Sequence, residues 1–365
     1  MQSKHAGALK NALARASSDV RLGRHIVGYG HPTYFIAEVG INHNGDFFLA
    51  KRAVERAAKA GAHAVKFQRR AVQDLWVKEV RDLPQTRNEL QGYTYGEYKA
   101  AAELKDDAFP KLMEFAGSFG IDFFVTPFEE KSVDFLETID MPFYKISSFE
   151  ITNIPLIEYI ARLKKPIILS TGMATLEEVD EAVITVLKHH GNLLLMHCVS
   201  VYPSPDDVIN LKTMVEFRDR YAPIPVGYSG HEQDILPSLA AVALGAPIVE
   251  RHLTLSHNLP GPDHATVSLD PDQFAELVRD AGRVWRILGT GGKDLIDLEK
   301  PVRDKHAKSI VTKRRIPKGT IITRDMVTFK CPGYGFKPTE TSLVVGKRAA
   351  IDIEDDTLIK REHIE

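Results

Sequence analysis

Glu250, Arg251 and His252 follow one another at the end of an apolar run, PIVERH. In an extended strand alternate residues share a face, so Glu250 and His252 point one way and Arg251 the other. His231 closes a second such run, PVGYSGH. Two imidazoles at neighbouring strand ends supply half of a divalent metal site, with carboxylate and water completing it. Lys66 in AVKFQ and Lys145 in FYKISS are set among apolar residues, where a lysine seldom lies without a partner. Two chemistries compete for them. A desolvated lysine can form a Schiff base with a carbonyl substrate. Two lysines beside the hydroxyls of Ser148, Ser170 and Ser229 bind a small phosphorylated anion, and this reading is the better supported. Glu38 and Glu150 are the carboxylates available for proton transfer or metal ligation.

These residues need elements that bring them together across two hundred positions. Eight short runs do so: Tyr34–Val39, Ala64–Gln68, Phe123–Thr126, Phe143–Ser148, Pro166–Thr171, Leu193–His197, Pro225–Ser229 and Pro247–His252. Between them lie segments of helical spacing, for example Leu49–Ala60, Leu176–His189, Ile209–Tyr221 and Pro271–Leu288. Strand alternating with helix predicts a parallel sheet, and eight such units predict an α/β (β/α)8 barrel. In a closed barrel all carboxyl ends share one rim. Glu38, Lys66, Gln68, Lys145, Ser148, Glu150, Ser170, His197, Ser229, His231, Glu250 and His252 are therefore expected to converge there.

The rhythm breaks at the glycine-rich, then charged stretch 289–304, read as a linker. Ahead of the barrel domain, 31–288, residues 1–30 read as an arm, with a small hairpin over Arg24–Tyr34 placed to plug the barrel bottom. The arm is basic, but it lacks the apolar core of a secretory signal, and a surface helix or loose arm is the simpler reading. Beyond the linker, residues 305–365 form a second, β-rich domain with pieces at Ser309–Thr312, Thr320–Ile322, Met326–Phe329 and Leu343–Val345. About sixty residues bury too little apolar surface to be robust alone.

Composition excludes several classes. Lysine plus arginine total 47 against 49 acids, a net charge of −2, which offers no field for a nucleic-acid backbone. No apolar run reaches the roughly 18 residues of a membrane span. The two cysteines, Cys198 and Cys331, are far apart in sequence and form no metal-binding pair, which fits a reducing cytoplasm.

The strings AEVGINHNGD, VKFQ, TPF, YKISSFEITN, ILSTGM, HCVSVYPSP, GYSGH, ERHLTL and LPGPDH, in this order, resemble the sialic acid synthase (N-acylneuraminate synthase) family. The segment from Ser309 resembles the antifreeze-like SAF domain of those enzymes. The resemblance implies condensation of phosphoenolpyruvate with a 2-acylamino hexose, N-acetylmannosamine or a 2,4-diacetamido relative, to a nine-carbon 2-keto-3-deoxy acid. It implies a divalent cofactor, Mn2+ or Mg2+, on His231 and His252. Lys66, Lys145, Ser148, Ser170 and Ser229 match the phosphoenolpyruvate positions. Gln68, Glu150, Tyr202 and Asp263 match the sugar and reaction side, and Glu38 the carboxylate near the developing charge. A homodimer with a swapped SAF domain is implied as well. A lysine aldolase and a non-catalytic carbohydrate-binding relative remain the alternatives.

Two departures bear on the sugar. Where the family reads RPG, with an arginine reaching toward the sugar's acyl group, this chain reads Lys330-Cys331-Pro332-Gly333, and a thiol cannot replace five planar donors. Lys330 or Arg348 is then the substitute, or the sugar differs. Ser200 stands where the family often carries asparagine. Asp263 in GPDH points to the neuraminate or legionaminate branch.

Overall fold

A computed structural model describes residues 6–85, 92–260 and 266–365. The chain divides into two compact units, Met1–Gly289 and Thr290–Glu365.

In the first unit a hairpin of β1 (Asp19–Leu22) and β2 (His25–Gly28) precedes eight strands: β3 (Tyr34–Gly40), β4 (Ala64–Arg69), β5 (Asp122–Pro127), β6 (Tyr144–Ile146), β7 (Ile167–Ser170), β8 (Leu193–Cys198), β9 (Val226–Gly230) and β10 (Ile248–His252). All ladders in the sheet are parallel and run in the order β5-β4-β3-β10-β9-β8-β7-β6. β5 and β6 meet across the seam, where the Phe124 and Phe143 rings lie 4.6 Å apart, so the sheet is a nearly closed TIM-type barrel. Every one of the eight predicted runs overlaps one of these strands. The fourth was read too long: β6 stops at Ile146, and Ser148–Glu150 form a 3-10 turn.

The crossover helices start where their capping chemistry dictates. Thr175 and Glu178 cap Leu176–Leu187 reciprocally, and Asp270 with Gln273 does the same for Pro271–Leu288, whose first position is the proline a helix start tolerates. The helix expected over Ile209–Tyr221 is instead two, Asp206–Ile209 and Lys212–Arg220, because Asn210 adopts a left-handed conformation at φ 47°.

The hairpin begins earlier than expected. Its turn is at Gly23, with φ 49°, rather than near Gly28 and Gly30. It does close the amino-terminal end of the barrel. Val20, Leu22 and Val27 are fully buried, His25 Nδ1 lies 3.2 Å from Asp122 at the start of β5, and the Val226 amide at the start of β9 donates to the Tyr29 hydroxyl at 2.9 Å. The arm ahead of it forms the helix Ala6–Leu13, with Leu9 buried.

The second unit holds an antiparallel pair, β11 (Ser309–Thr312) with β12 (Val327–Lys330), around a small core of Ile310, Ile322, Val327, Val344 and Ile359. Thr320–Ile322 contributes only a single bridge, Ile321 to Arg348, and Leu343–Val345 is not a strand but the end of a 3-10 segment. The stretch read as linker contains the helix Lys300–His306.

Candidate active site at the barrel mouth

Alternation along the strands sorts each one into an inner and an outer row. β4 turns Lys66 and Gln68 inward, β9 Ser229 followed by His231, β10 Glu250 and His252, and β8 Cys198. With Glu38, Lys145, Ser148, Ser170 and Tyr202 they line one cavity of about 250 Å³. Thr126, inward on β5, meets Lys66 Nζ at 3.2 Å. His197 is the correction to the expected set. β8 runs to Cys198, and alternation turns Cys198 into the cavity and His197 to the outer face, with Nε2 2.7 Å from the Ile209 carbonyl. Arg251 is on the outer face as alternation requires, fully buried, paired with Glu232 at 2.8 Å and donating to the Asp234 carbonyl at 2.6 Å.

At the centre, four buried charges form one network. Lys145 Nζ lies 2.9 Å from both oxygens of Glu250. Lys66 Nζ lies 3.3 Å from Glu250 and 3.0 Å from Glu38. Register explains the Glu38–Lys66 pair, which lie opposite one another on β3 and β4; Glu250, opposite Ser229 on β9 and Ile36 on β3, meets the lysines of β4 and β6 across the barrel interior. Burial raises the Glu38 carboxyl, with Glu250 adding to the effect and Lys66 opposing it. Burial also acts to raise Glu250, but the two lysines outweigh it and hold that carboxyl down at about 2. Burial lowers Lys145 despite Glu250, whereas for Lys66 the two carboxylates outweigh burial and raise it. Two carboxyls pushed apart in this way are suited to different tasks, one to carry a proton and one to remain charged.

The serines sit beside this network. Ser229 Oγ approaches Glu250 at 3.4 Å, the Gly172 amide donates to Ser148 Oγ at 3.0 Å, and the buried Ser170 Oγ has no hydrogen-bond partner among the described residues. Gly172 can only be glycine, since a Cβ there would collide with the hydroxyls of Ser148 and Ser200. The helix after STGM is not an open anion site: its first turn is occupied by its own capping box, with Glu177 and Glu178.

The His231 and His252 rings lie 5.4 Å apart, and the Tyr202 ring packs 4.0 Å from His231 and 6.2 Å from His252. His231 Nδ1 donates to the Val199 carbonyl at 2.9 Å, which leaves Nε2 with its lone pair. Burial lowers His231, but the neighbouring Cys198 and that carbonyl more than compensate. Burial together with the charges of His231 and Lys66 holds His252 well below the usual histidine range, and its buried Nδ1 has no partner among the described residues. A neutral, unsatisfied imidazole beside an oriented one fits the metal expected there. Among the described residues no group of three or more histidine, cysteine, aspartate or glutamate side chains converges on a metal position.

Gln68 donates to Glu38 Oε1 at 2.5 Å and accepts from Arg70. Glu150 is buried but lines an adjoining cavity, where it accepts from Asn153 at 2.7 Å and burial raises its carboxyl. Asp263 lies outside the described residues. In the second unit Lys330 pairs with Asp356, Cys331 Sγ lies 3.2 Å from the His306 carbonyl, and Arg348 donates to the Gly319 carbonyl at 2.6 Å. Glu250 as the counter-ion of both lysines, and Arg70 beyond Gln68, were not assigned from sequence. The signal for Glu250 was its shared strand face with His252, and for Arg70 its two-residue spacing from Gln68.

Residues 53–293 match the NeuB family and residues 307–365 the SAF domain. The chain is 37% identical over 340 residues to the human N-acetylneuraminate-9-phosphate synthase, spanning 93% of this chain and 94% of that protein. It is 40% identical over 338 residues to the N,N'-diacetyllegionaminic acid synthase of Legionella pneumophila, spanning 91% and 94%. The crystal structure of the N-acetylneuraminic acid synthetase of Leptospira borgpetersenii, solved with citrate, superposes with a TM-score of 0.69 at 33% identity, covering 78% of this chain and 95% of that one.

Proposed function

We propose, for a chain that belongs to the NeuB family and carries a SAF domain, that its barrel condenses phosphoenolpyruvate with an open-chain 2-acylamino hexose, giving a nine-carbon 2-keto-3-deoxy acid and phosphate. The observation that carries this reading is the pair of buried lysines sharing Glu250, beside serine hydroxyls and beneath two imidazoles.

In the reaction, C3 of the enolpyruvyl group bonds to the aldehyde carbon, whose oxygen takes up a proton. Water adds to C2 and loses a proton; the C2–O bond to phosphate then breaks, and the remaining hydroxyl proton passes to the departing phosphate as the C2 ketone forms. Lys66 and Lys145 hold the phosphate and carboxylate charge, and Ser148, Ser170 and Ser229 donate hydrogen bonds to it. Glu250 stays ionised and keeps both ammonium groups aimed at the anion. Glu38, the carboxyl raised by burial, gives its proton to the aldehyde oxygen as the C–C bond forms and, once ionised, accepts the proton of the attacking water and faces the charge developing at C2. Gln68 fixes Glu38 by its hydrogen bond. A divalent ion, Mn2+ or Mg2+, held by His231 and His252 would polarise the aldehyde oxygen as a Lewis acid. Tyr202, stacked on His231, shields that side from water. Positioning both substrates supplies about 7–11 kcal/mol of barrier reduction in such a pocket.

The test is phosphate release from phosphoenolpyruvate with a panel of 2-acylamino hexoses and manganese. Turnover that falls at least about a hundredfold after chelation and returns with Mn2+ or Mg2+ is expected; full activity after chelation overturns the metal assignment. Borohydride with pyruvate should leave both lysines unmodified, since a Schiff base needs a neutral amine and Lys145 is ion-paired twice. The homodimer with exchanged SAF domains belongs to this proposal. Mixing Lys145→Met protein with Lys330→Ala, Arg348→Ala protein should restore turnover if each SAF domain serves the other subunit's barrel.

A further inference from the structure

Behind the two imidazoles, on the outer face of the same strands, lies a buried polar cluster that takes no part in the reaction steps. Alternation puts Tyr228, Gly230 and Glu232 on the reverse of Ser229 and His231, and Arg251 on the reverse of Glu250 and His252. Arg251 and Glu232 are both buried. The guanidinium pairs with Glu232 Oε1 at 2.8 Å and donates to the carbonyls of Glu232 at 2.5 Å and Asp234 at 2.6 Å, and to Ser238 Oγ at 3.1 Å. The Glu232 carboxylate also accepts from the Tyr228 hydroxyl at 2.8 Å and the Ser238 hydroxyl at 2.7 Å. Gly230, opposite Arg251 in the ladder, makes room for this, since a Cβ there would collide with the Glu232 carboxylate and the Tyr228 ring.

Each partner of the ion pair is the chain neighbour of an imidazole: Glu232 follows His231, and Arg251 precedes His252. The pair therefore ties the end of β9 to β10 where the two rings stand 5.4 Å apart. The turn after His231 enters the helix Leu236–Ala243 at Ile235, which offers no capping side chain; Asp234 accepts the Leu236 amide at 2.8 Å, and Arg251 holds the two carbonyls ahead of it. His231 is oriented further by the Val199 carbonyl, but His252 Nδ1 has no partner among the described residues, so its ring depends on where β10 places it. A buried ion pair is a poor source of stability, because desolvation offsets most of its attraction. What it does provide is geometry, and a planar guanidinium serving four acceptors fixes its strand against the neighbouring turn.

We propose that Arg251 and Glu232 are positioning residues that hold His231 and His252 in register for one divalent cation, acting from the face of the sheet turned away from the substrates. The inference rests on the metal reading of the two imidazoles and extends it to the layer behind them.

Mn2+ titration of the full-length protein, followed by the electron paramagnetic resonance signal of the free ion, measures affinity without turnover. Arg251→Met combined with Glu232→Leu removes both charges at once and leaves no unpaired ion in the core, so the metal-free urea midpoint should stay near the parent's. Mn2+ should nevertheless bind this double variant about 10–100-fold more weakly, the range over which groups behind metal ligands act. Glu232→Gln should do the reverse. It keeps an acceptor for the guanidinium but leaves Arg251 without its counter-charge, so the urea midpoint should fall while Mn2+ affinity changes by less than about threefold. Arg251→Lys keeps the charge and loses the fork; it should weaken Mn2+ by about tenfold, and it decides the matter if the double variant does not fold. Parental affinity in Arg251→Lys and the double variant, or losses of affinity that follow the metal-free urea midpoint across the set, overturn the inference and leave the metal reading standing. No Mn2+ binding to the parent, or binding that His231→Ala and His252→Ala leave intact, overturns the metal reading and the inference with it.

Discussion

Glu38 and Glu250 sit on adjacent strands and share Lys66, yet their surroundings push the two carboxyls in opposite directions. Glu38→Gln keeps the shape and the Gln68 contact but removes the proton acceptor, so kcat should fall by about 10²–10⁴ with the KM for phosphoenolpyruvate nearly unchanged. Steady-state kinetics over a range of pH would check it; a loss confined to KM would remove Glu38 from proton transfer. Glu250→Gln acts differently, because it leaves two buried ammonium groups against one acid. We expect it to destabilise the free protein by about 3–5 kcal/mol, and saturating phosphoenolpyruvate to recover part of that. Urea denaturation with and without the ligand measures both. Lys66, Lys145, His231 and His252 were legible in the sequence because a charged or titratable residue stands out inside an apolar run. The part played by Glu250 was not, since its partners Lys66 on β4 and Lys145 on β6 are on strands that do not neighbour β10, and a strand's own sequence does not record what it meets across a barrel. His197 was misplaced for a related reason: facing alternates along a strand, and being the last residue of an apolar run does not say which face a residue takes.

Among the elements, the eight strands could be read because buried parallel strands are continuous β-branched and aliphatic runs bounded by turns. The hairpin's location could not, because its glycines do different work. At Gly23 the left-handed backbone sits against Asp122, whereas Gly30, also at positive φ, is in open space. Beneath the barrel His25, Tyr34 and Asp122 surround His63, whose Nδ1 accepts the Phe35 amide at 3.0 Å. Burial, aided by His25 and opposed by Asp122, lowers His63 to about 4. A base held neutral in the folded state favours folding fully above its unfolded pKa and loses that contribution as pH falls from about 6.5 towards 4. The loss should be about 2–3 kcal/mol. In His63→Gln, where the amide oxygen can still accept from Phe35, the fall in stability between pH 7.5 and 4.5 should be smaller by that amount. Equal slopes for the two proteins would show that His63 does not govern acid sensitivity.

On the scale of the whole molecule, the two-part organisation was visible as a change of rhythm near residue 289, and the contact division falls at Gly289 and Thr290. The chain carries a net −2, and no helix among the described residues is long and apolar enough to cross a membrane. The barrel mouth repeats this balance in miniature, with two ammonium groups against two carboxylates. A cradle already neutral when empty acquires a surplus of negative charge once a multiply ionised enol ester enters, and burial makes that surplus costly. The protein's response is to draw hydrogen ions from solution, through Glu38 before any other group, as the ligand arrives. Calorimetric titrations of phosphoenolpyruvate in two buffers of different ionisation heat should therefore give different apparent enthalpies, corresponding to net uptake. Glu38→Gln should make the two agree, and identical heats in the parent protein would mean that the incoming charge is balanced by other means.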